Sequence, residues 1–215
     1  LQMKRQTGAS FGDLFRAAKG MTSHGGLTLP QAMMAASAPM LIQKAVVEGD
    51  PDPASWRTLA AAVVNPAIGE VFTAADGGGA FLGEKPIRVA PAVELSQALV
   101  ATGFSYSASR RVSQAGLVAR LIGEVRDIRR MGTASLDLCS VACGRLNAYY
   151  ERGLKPWDHA AGTLVAREAG AAVGGLRGAA ATEQFLLAAE PSVAAELERA
   201  LVGFDRAADP AMPRK

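Results

Sequence analysis

From Ala45 onward, apolar and polar positions fall into short runs separated by turn residues. Ala45–Val47 is a brief apolar run, the loop GDPDPAS follows, and TLAAAVV (58–64) is a second run closed by Asn65-Pro66. This predicts a strand, a loop and a strand. EVFTAA (70–75) reads as a third strand. The triplet Gly77-Gly78-Gly79 turns the chain into AFL, and KPIRVA (85–90) reads as a fifth strand. Short strands joined by tight turns predict an antiparallel meander.

Past Pro91 the pattern lengthens. LSQALVATGF (95–104) reads as a buried strand, and Val112 to Ile122 carries apolar residues at 112, 117, 118, 121 and 122, close to helical spacing. VRDIRRMG (125–132) reads as a strand. TASLDLCSVACGRLNAYY (133–150) reads as one long helix with Thr133 at its N-cap. ERGLKPWD is a connecting strand and turn, HAAGTLVAREAG (159–170) a helix stopped by Gly170, and AAVGGLRG leads to a turn. FLLAAEP (185–191) is a strand, and SVAAELERALVGF (192–204) a final amphipathic helix capped by Ser192. Strands alternating with helices predict an α/β half with a mostly parallel or mixed sheet. The predicted layout is an unassigned segment 1–44, a meander over 45–92 and an α/β half over 93–215. In the first segment Phe11–Lys19 has room for two helical turns, and five of the seven methionines fall within the first 40 residues.

Composition narrows the class. Hydrophobic residues make up 49% and charged residues 20% of 215, which excludes a disordered or collagen-like chain. Net charge is +3, from 23 basic and 20 acidic residues, too small to predict a nucleic-acid partner without a clustered patch. Cys139 and Cys143 are spaced for one helix face with no second ligand pair nearby, so they read as small buried apolar residues of a reducing, cytoplasmic protein. LQMKRQTGASFGDLF lacks the apolar segment of a signal peptide. Leu27–Val47 is interrupted by Gln31, Pro39, Gln43 and Lys44 and does not predict a membrane span. A start at Leu1 rather than Met suggests a fragment or a processed product.

Chemistry concentrates between Met131 and Gly162. Gly132-Thr133-Ala134 sits where a strand ends and a helix begins, presenting unpaired N–H groups and the positive end of a dipole. That is either a plain cap or a place for an anion such as phosphate. Trp157-Asp158-His159 repeats the arrangement. Asp158 is readable as an N-cap, or as a carboxylate at the carboxyl edge of the sheet holding Mg²⁺. His159 is readable as a base or as a solvent-facing residue. Glu151, seven residues earlier, reaches the same rim.

Taken together, VVNPAIGEVFTAADGGGAFL, KPIRVA, ATGFSY, RRMGTASLDLCSVACGRLNAYYERGLKPWDHAAG and REAG resemble the inositol monophosphatase family over about Ala45–Leu201. The resemblance implies a layered α/β/α/β/α sandwich, a homodimer, Mg²⁺ as cofactor and a small inositol or sugar phosphate as substrate. It implies that Asp158 binds metal, that Gly132, Thr133 and Ala134 contact substrate, and that Glu151 hydrogen-bonds substrate hydroxyls. The family's G-E-E and D-P-[IL]-D-G-T motifs, which supply the remaining ligands and the water-activating Glu and Thr, are not found. Asp50-Pro51-Asp52-Pro53 lacks the Gly-Thr and lies too close to the V-V-N-P strand. The fold is therefore read as incomplete at the N-terminus, with residues 1–44 arising from a frameshift, a misjoined start or a deletion. Hydrolysis of inositol 1-phosphate or a related sugar phosphate, impaired in this chain, is the expected function. The alternative is a non-catalytic relic of the fold in which Arg126, Arg129 and Arg130 contact an acidic partner such as RNA.

Overall fold

The computed structural model describes residues 44–48 and 57–208. The Phe11–Lys19 turns and the GDPDPAS loop lie outside the described residues. The first sheet is an antiparallel meander of β1 (Lys44–Glu48), β2 (Arg57–Asn65), β3 (Glu70–Ala75), β4 (Gly79–Leu82) and β5 (Lys85–Pro86), in chain order. The second sheet is mixed. Its strands are β6 (Leu99–Thr102), β7 (Asp127–Arg129), β8 (Ala148–Glu151), β9 (Ala172–Gly174) and β10 (Leu186–Ala189), in the order β7-β6-β8-β10-β9. β6 runs parallel to both β7 and β8, and β10 is antiparallel to β8 and β9. The helices are α1 (Ala108–Leu121), α2 (Ala134–Ala142), α3 (Pro156–Glu168) and α4 (Pro191–Ala208).

Strand alternation sorts the second sheet into two cores. Tyr149, Leu186 and Ala188 face a core shared with Val63, Phe72 and Ala74 of the first sheet, Leu138 and Val141 of α2, and Leu164 and Val165 of α3. Their neighbours Val100, Tyr150 and Leu187 face the opposite way, onto Leu117 and Leu121 of α1 and Val193, Leu197 and Leu201 of α4. The described residues thus stack as sheet, helix pair, sheet, helix pair, the α/β layering the sequence predicts. Each large apolar side chain buried this way contributes roughly 1.5–3 kcal/mol. The helices of the central layer approach closely at Gly162 of α3, where a Cβ would stand 2.9 Å from Leu138 Cβ and 3.0 Å from the Ser135 carbonyl. The far end of α3 is tied to the meander. Glu168 accepts the N–H groups of Gly77 (2.9 Å) and Gly79 (2.8 Å), holding the β3–β4 turn.

Several predicted elements are corrected. The long helix over 133–150 is instead α2 followed by β8. Gly144 adopts φ +75°, the N–H groups of Arg145 and Leu146 both return to the Ser140 carbonyl, and the chain re-enters the sheet as a strand. The KPIRVA strand stops at Pro86, because the Val89 N–H is given to the Ala169 carbonyl after α3 rather than to a neighbouring strand. α1 begins at Ala108, before the first apolar position of its stripe. The segment read as a turn after Gly170 contains the short edge strand β9. α4 starts at Pro191, and the residue that caps it is Glu190, whose carboxylate accepts the N–H groups of Ser192 (2.8 Å) and Val193 (3.2 Å).

Candidate active site

Topology selects one edge of the second sheet. β6 and β8 are parallel neighbours, yet α1, which follows β6, covers one face, and α3, which follows β8, covers the other. Divergence of the two following helices opens a crevice at the carboxyl ends of such strands, the usual ligand position in open α/β sheets. Glu151 is the last residue of β8, and Gly103 follows β6. The Glu151 carboxylate lies across Gly103 so tightly that a Cβ there would stand 1.9 Å from Oε2. Beneath it the fully buried Tyr149 donates its hydroxyl to Oε2 at 2.5 Å. Burial raises the Glu151 pKa; the Tyr149 hydrogen bond and the Arg130 charge pull it down, and the Asp158 charge pushes it up.

Two helix starts meet the same edge. Thr133 takes the N-cap position of α2 with extended backbone and makes no side-chain cap hydrogen bond; the first intrahelical bond runs from the Asp137 N–H to its carbonyl at 3.0 Å. Ala134 is the first, buried residue of the helix. The leading N–H groups of such a turn have no intrahelical acceptor. Before the cap, Arg130 Nη1 lies 2.6 Å from where a Cβ on Gly132 would stand. Ser135 Oγ donates to the Asp158 carbonyl at 2.7 Å, joining the first turn of α2 to the first turn of α3.

Asp158 is not the N-cap of α3. Pro156 opens the helix, Lys155 caps it, and Asp158 is the third helical residue, its Oδ2 accepting the Lys155 N–H at 2.8 Å. His159 is half-buried rather than solvent-facing. Its Nδ1 lies 3.3 Å from Thr163 Oγ1 one turn along, and burial lowers its pKa, against the Asp158 charge. Of the cysteines, Cys139 is fully buried in the core between the sheets, where burial pushes its thiol pKa well up, and Cys143 is half-buried.

One carboxylate of this site is invisible to the pattern reading. Asp137 lies one turn into α2, 1% exposed, with Oδ1 buried and without a hydrogen-bond partner. Burial, then the nearby Glu151 charge, raise its pKa from 3.8 to about 7, opposed by Arg130. A lone acid inside the apolar run ASLDLCSVA was the available signal. A separate cavity of about 240 Å³ is lined by residues including Ile68, Glu70, Met131 and Arg145, and by none of the residues of the β6–β8 edge.

The model of the inositol monophosphatase family matches residues 56–206. The chain belongs to the inositol monophosphatase family.

Inositol-1-monophosphatase SuhB of Mycobacterium tuberculosis is 47% identical over 153 residues, covering 69% of this chain and 53% of that protein. Nus factor SuhB of Xylella fastidiosa is 42% identical over 161 residues, covering 70% and 58%. The solved structure of Mycobacterium tuberculosis SuhB superposes with a TM-score of 0.63 at 47% identity, covering 69% of this chain and 60% of that one. The chain spans about half the length of the curated relatives it matches.

The inositol monophosphatase resemblance implies Mg²⁺, a cation that takes several oxygen ligands. The described residues do not fit it on their own. Among them no three His, Cys, Asp or Glu side chains are grouped to hold a metal ion, and one oxygen of Asp158 is committed to the Lys155 N–H. Residues 1–44 of the sequence contain a single acid, Asp13.

Proposed function

We propose that this chain binds inositol 1-phosphate or a closely related sugar phosphate at the carboxyl edge of β6 and β8, and that the reaction this site serves is Mg²⁺-dependent hydrolysis of the phosphomonoester. The observation that carries the reading is the meeting of Glu151 with the first turns of α2 and α3 at one edge. A phosphate dianion is favoured by the N–H groups of Gly132–Ser135 and the dipole of α2, with the Arg130 guanidinium beside Gly132 adding charge. An ionised Glu151 accepts hydrogen bonds from polyol hydroxyls and repels phosphate from its own position, which orients the ligand. Tyr149 and Gly103 hold that carboxylate from below and beside.

Asp158 is the metal carboxylate of this reading. Because the described residues do not complete a Mg²⁺ site, no catalytic step is derived through the ion. Assayed as 215 residues, the chain is expected to release phosphate far more slowly than an ordinary phosphatase. Phosphate release from inositol 1-phosphate, with and without Mg²⁺, tests this. Slow, Mg²⁺-dependent release lost in Asp158→Asn supports the reading; release at ordinary rates and unchanged by Asp158→Asn overturns it. The setting we propose is reducing and cytoplasmic. No described helix is long and apolar enough to cross a membrane. The assembly we propose is a homodimer, supported by Ile68 and Met131, 64% and 54% exposed on the rim of one cavity; sedimentation as a monomer would contradict it.

A second reading is contact with an acidic partner such as RNA through the arginines in and beside β7. Of the three arginines concerned, Arg129 is ion-paired with Asp127, leaving Arg126 and Arg130 as the exposed contributors. Salt-dependent retention on RNA, lost on changing Arg126 and Arg130 together, supports it, and no retention at low salt ends it.

A further inference from the structure

α2 carries a carboxyl group to which the reading of the edge gives no task. Asp137 lies in the first turn of α2. Helical side chains lean toward the N-terminus of their own helix, so this one lies along the turn that follows Thr133. It is 1% exposed, and among the described residues its Oδ1 has no hydrogen-bond partner. Burial opposes a charge at that position, whereas the helix start favours a negative one. The two influences are close to balance, so a charge arriving nearby decides between them.

The groups that act on Asp137 come from distinct elements. β8 presents Glu151 and Tyr149, whose hydroxyl donates to Glu151 Oε2 at 2.5 Å. The segment before α2 presents Arg130, with Nη1 2.6 Å from where a Cβ on Gly132 would stand. α3, packed along α2, turns the Asp158 charge toward Glu151 and sets His159 against Thr163. Its last acid, Glu168, is bound to the β3–β4 turn at the far end. The residues that β2 and β10 bring to this core, among them Ala61, Val63, Leu186 and Ala188, are apolar.

Arg130 lowers the proton affinity of Asp137 and of Glu151 alike, and it stands beside the N–H groups offered to an anion. A dianion seated there draws on the same guanidinium and adds negative charge next to Asp137. Both changes favour the protonated carboxyl. Glu151 is better protected from this exchange, because the Tyr149 hydroxyl supports its charged form. Asp137 Oδ1 has no such donor, and burial with the Glu151 charge already raises the Asp137 pKa to about 7. Asp137 is thus the group set to take up a proton when an anion arrives.

We infer that Asp137 is a pH sensor of the edge: an anion at the start of α2 binds together with a proton from solvent, held on an Asp137 oxygen, and leaves as that proton leaves. The inference rests on the proposed phosphate reading of the edge. It makes anion affinity fall as pH rises through neutrality. A phosphate monoester has an opposite trend of its own, since its second ionisation near about pH 6 favours binding at higher pH. A dianion that does not titrate in this range therefore isolates the contribution of Asp137.

The probe is inorganic sulfate, titrated calorimetrically into the full chain without Mg²⁺ at constant ionic strength. At about pH 7.5, in two buffers of unlike ionisation enthalpy, uptake of roughly half a proton per sulfate is expected. Between about pH 6.5 and 8, sulfate affinity should fall roughly fourfold. Asp137→Asn, which keeps the shape, should lose both the uptake and the fall. A second measurement needs no variant: in the unaltered chain the Asp137 carboxyl carbon resonance should titrate at higher pH with sulfate than without. Sulfate bound without proton uptake, uptake that survives Asp137→Asn, or an Asp137 titration that sulfate leaves in place overturns the inference and leaves the anion site standing. No sulfate binding at any pH overturns both.

Discussion

The Ser135 hydroxyl donates to the main-chain carbonyl of Asp158 across 2.7 Å, although 23 residues separate them. Ser135 is fully buried, so this bond is shielded from water. It holds the opening turns of α2 and α3 against each other, with Gly162 permitting the approach one turn further on. Ser135→Ala removes the donor of one buried hydrogen bond, a loss of about 0.5–1.5 kcal/mol. Urea unfolding should register that loss. Affinity for inositol 1-phosphate should fall too, because the two N-termini are no longer held in register; a variant of unchanged stability and affinity would contradict this.

Asp137 makes stability depend on pH. Its native pKa, raised to about 7 from 3.8, means that the folded chain keeps a proton which the unfolded chain releases. Between pH 4 and 7 the unfolded state therefore binds fewer protons, and stability falls as pH rises through that window. Asp137→Asn keeps the shape and removes the titration. The variant should lose this slope and gain on the order of 2–4 kcal/mol relative to wild type by pH 8. Urea unfolding at intervals from pH 4.5 to 8, the range over which the shift acts, checks this. Parallel pH curves for the two chains would show that Asp137 does not titrate in the window.

Glu168 joins the end of α3 to the glycine turn of the meander by two backbone N–H groups. Glu168→Ala should cost about 1–3 kcal/mol, and Glu168→Gln, which keeps one acceptor oxygen, should cost less. Hydrogen exchange gives the local signature. Gly77 and Gly79 amides should lose protection in Glu168→Ala while those of β8 keep theirs. Unchanged exchange at both glycines would rule out the clamp.

Much of this architecture was readable from apolar spacing, because spacing reports burial directly. EVFTAA coincides with β3 (Glu70–Ala75), and the meander order follows from its tight turns. What escaped has identifiable causes. In β8, Ala148, Tyr149 and Tyr150 are all buried, since the sheet is covered on both faces. A continuous apolar run carries no strand alternation and merges with the helical run before it; the break was Gly144. The cap alternative for Asp158 arises because Asp is a strong N-cap residue, yet Pro156 at the first helical position marks the true start. Asp137 is hidden in the sequence because a helical apolar run accommodates a single acid without losing its period.

The central claim is that Glu151, the first turn of α2 and the first turn of α3 form one ligand crevice at the end of β6 and β8. Amide chemical shifts of the full chain, followed during titration with inositol 1-phosphate, test it most directly. The account predicts that Gly103, Gly132 to Ser135, Glu151 and Asp158 shift together, with one dissociation constant, and that the response is lost in Glu151→Gln. Shifts confined to the cavity around Ile68 and Met131, or binding that survives Glu151→Gln unchanged, would contradict it.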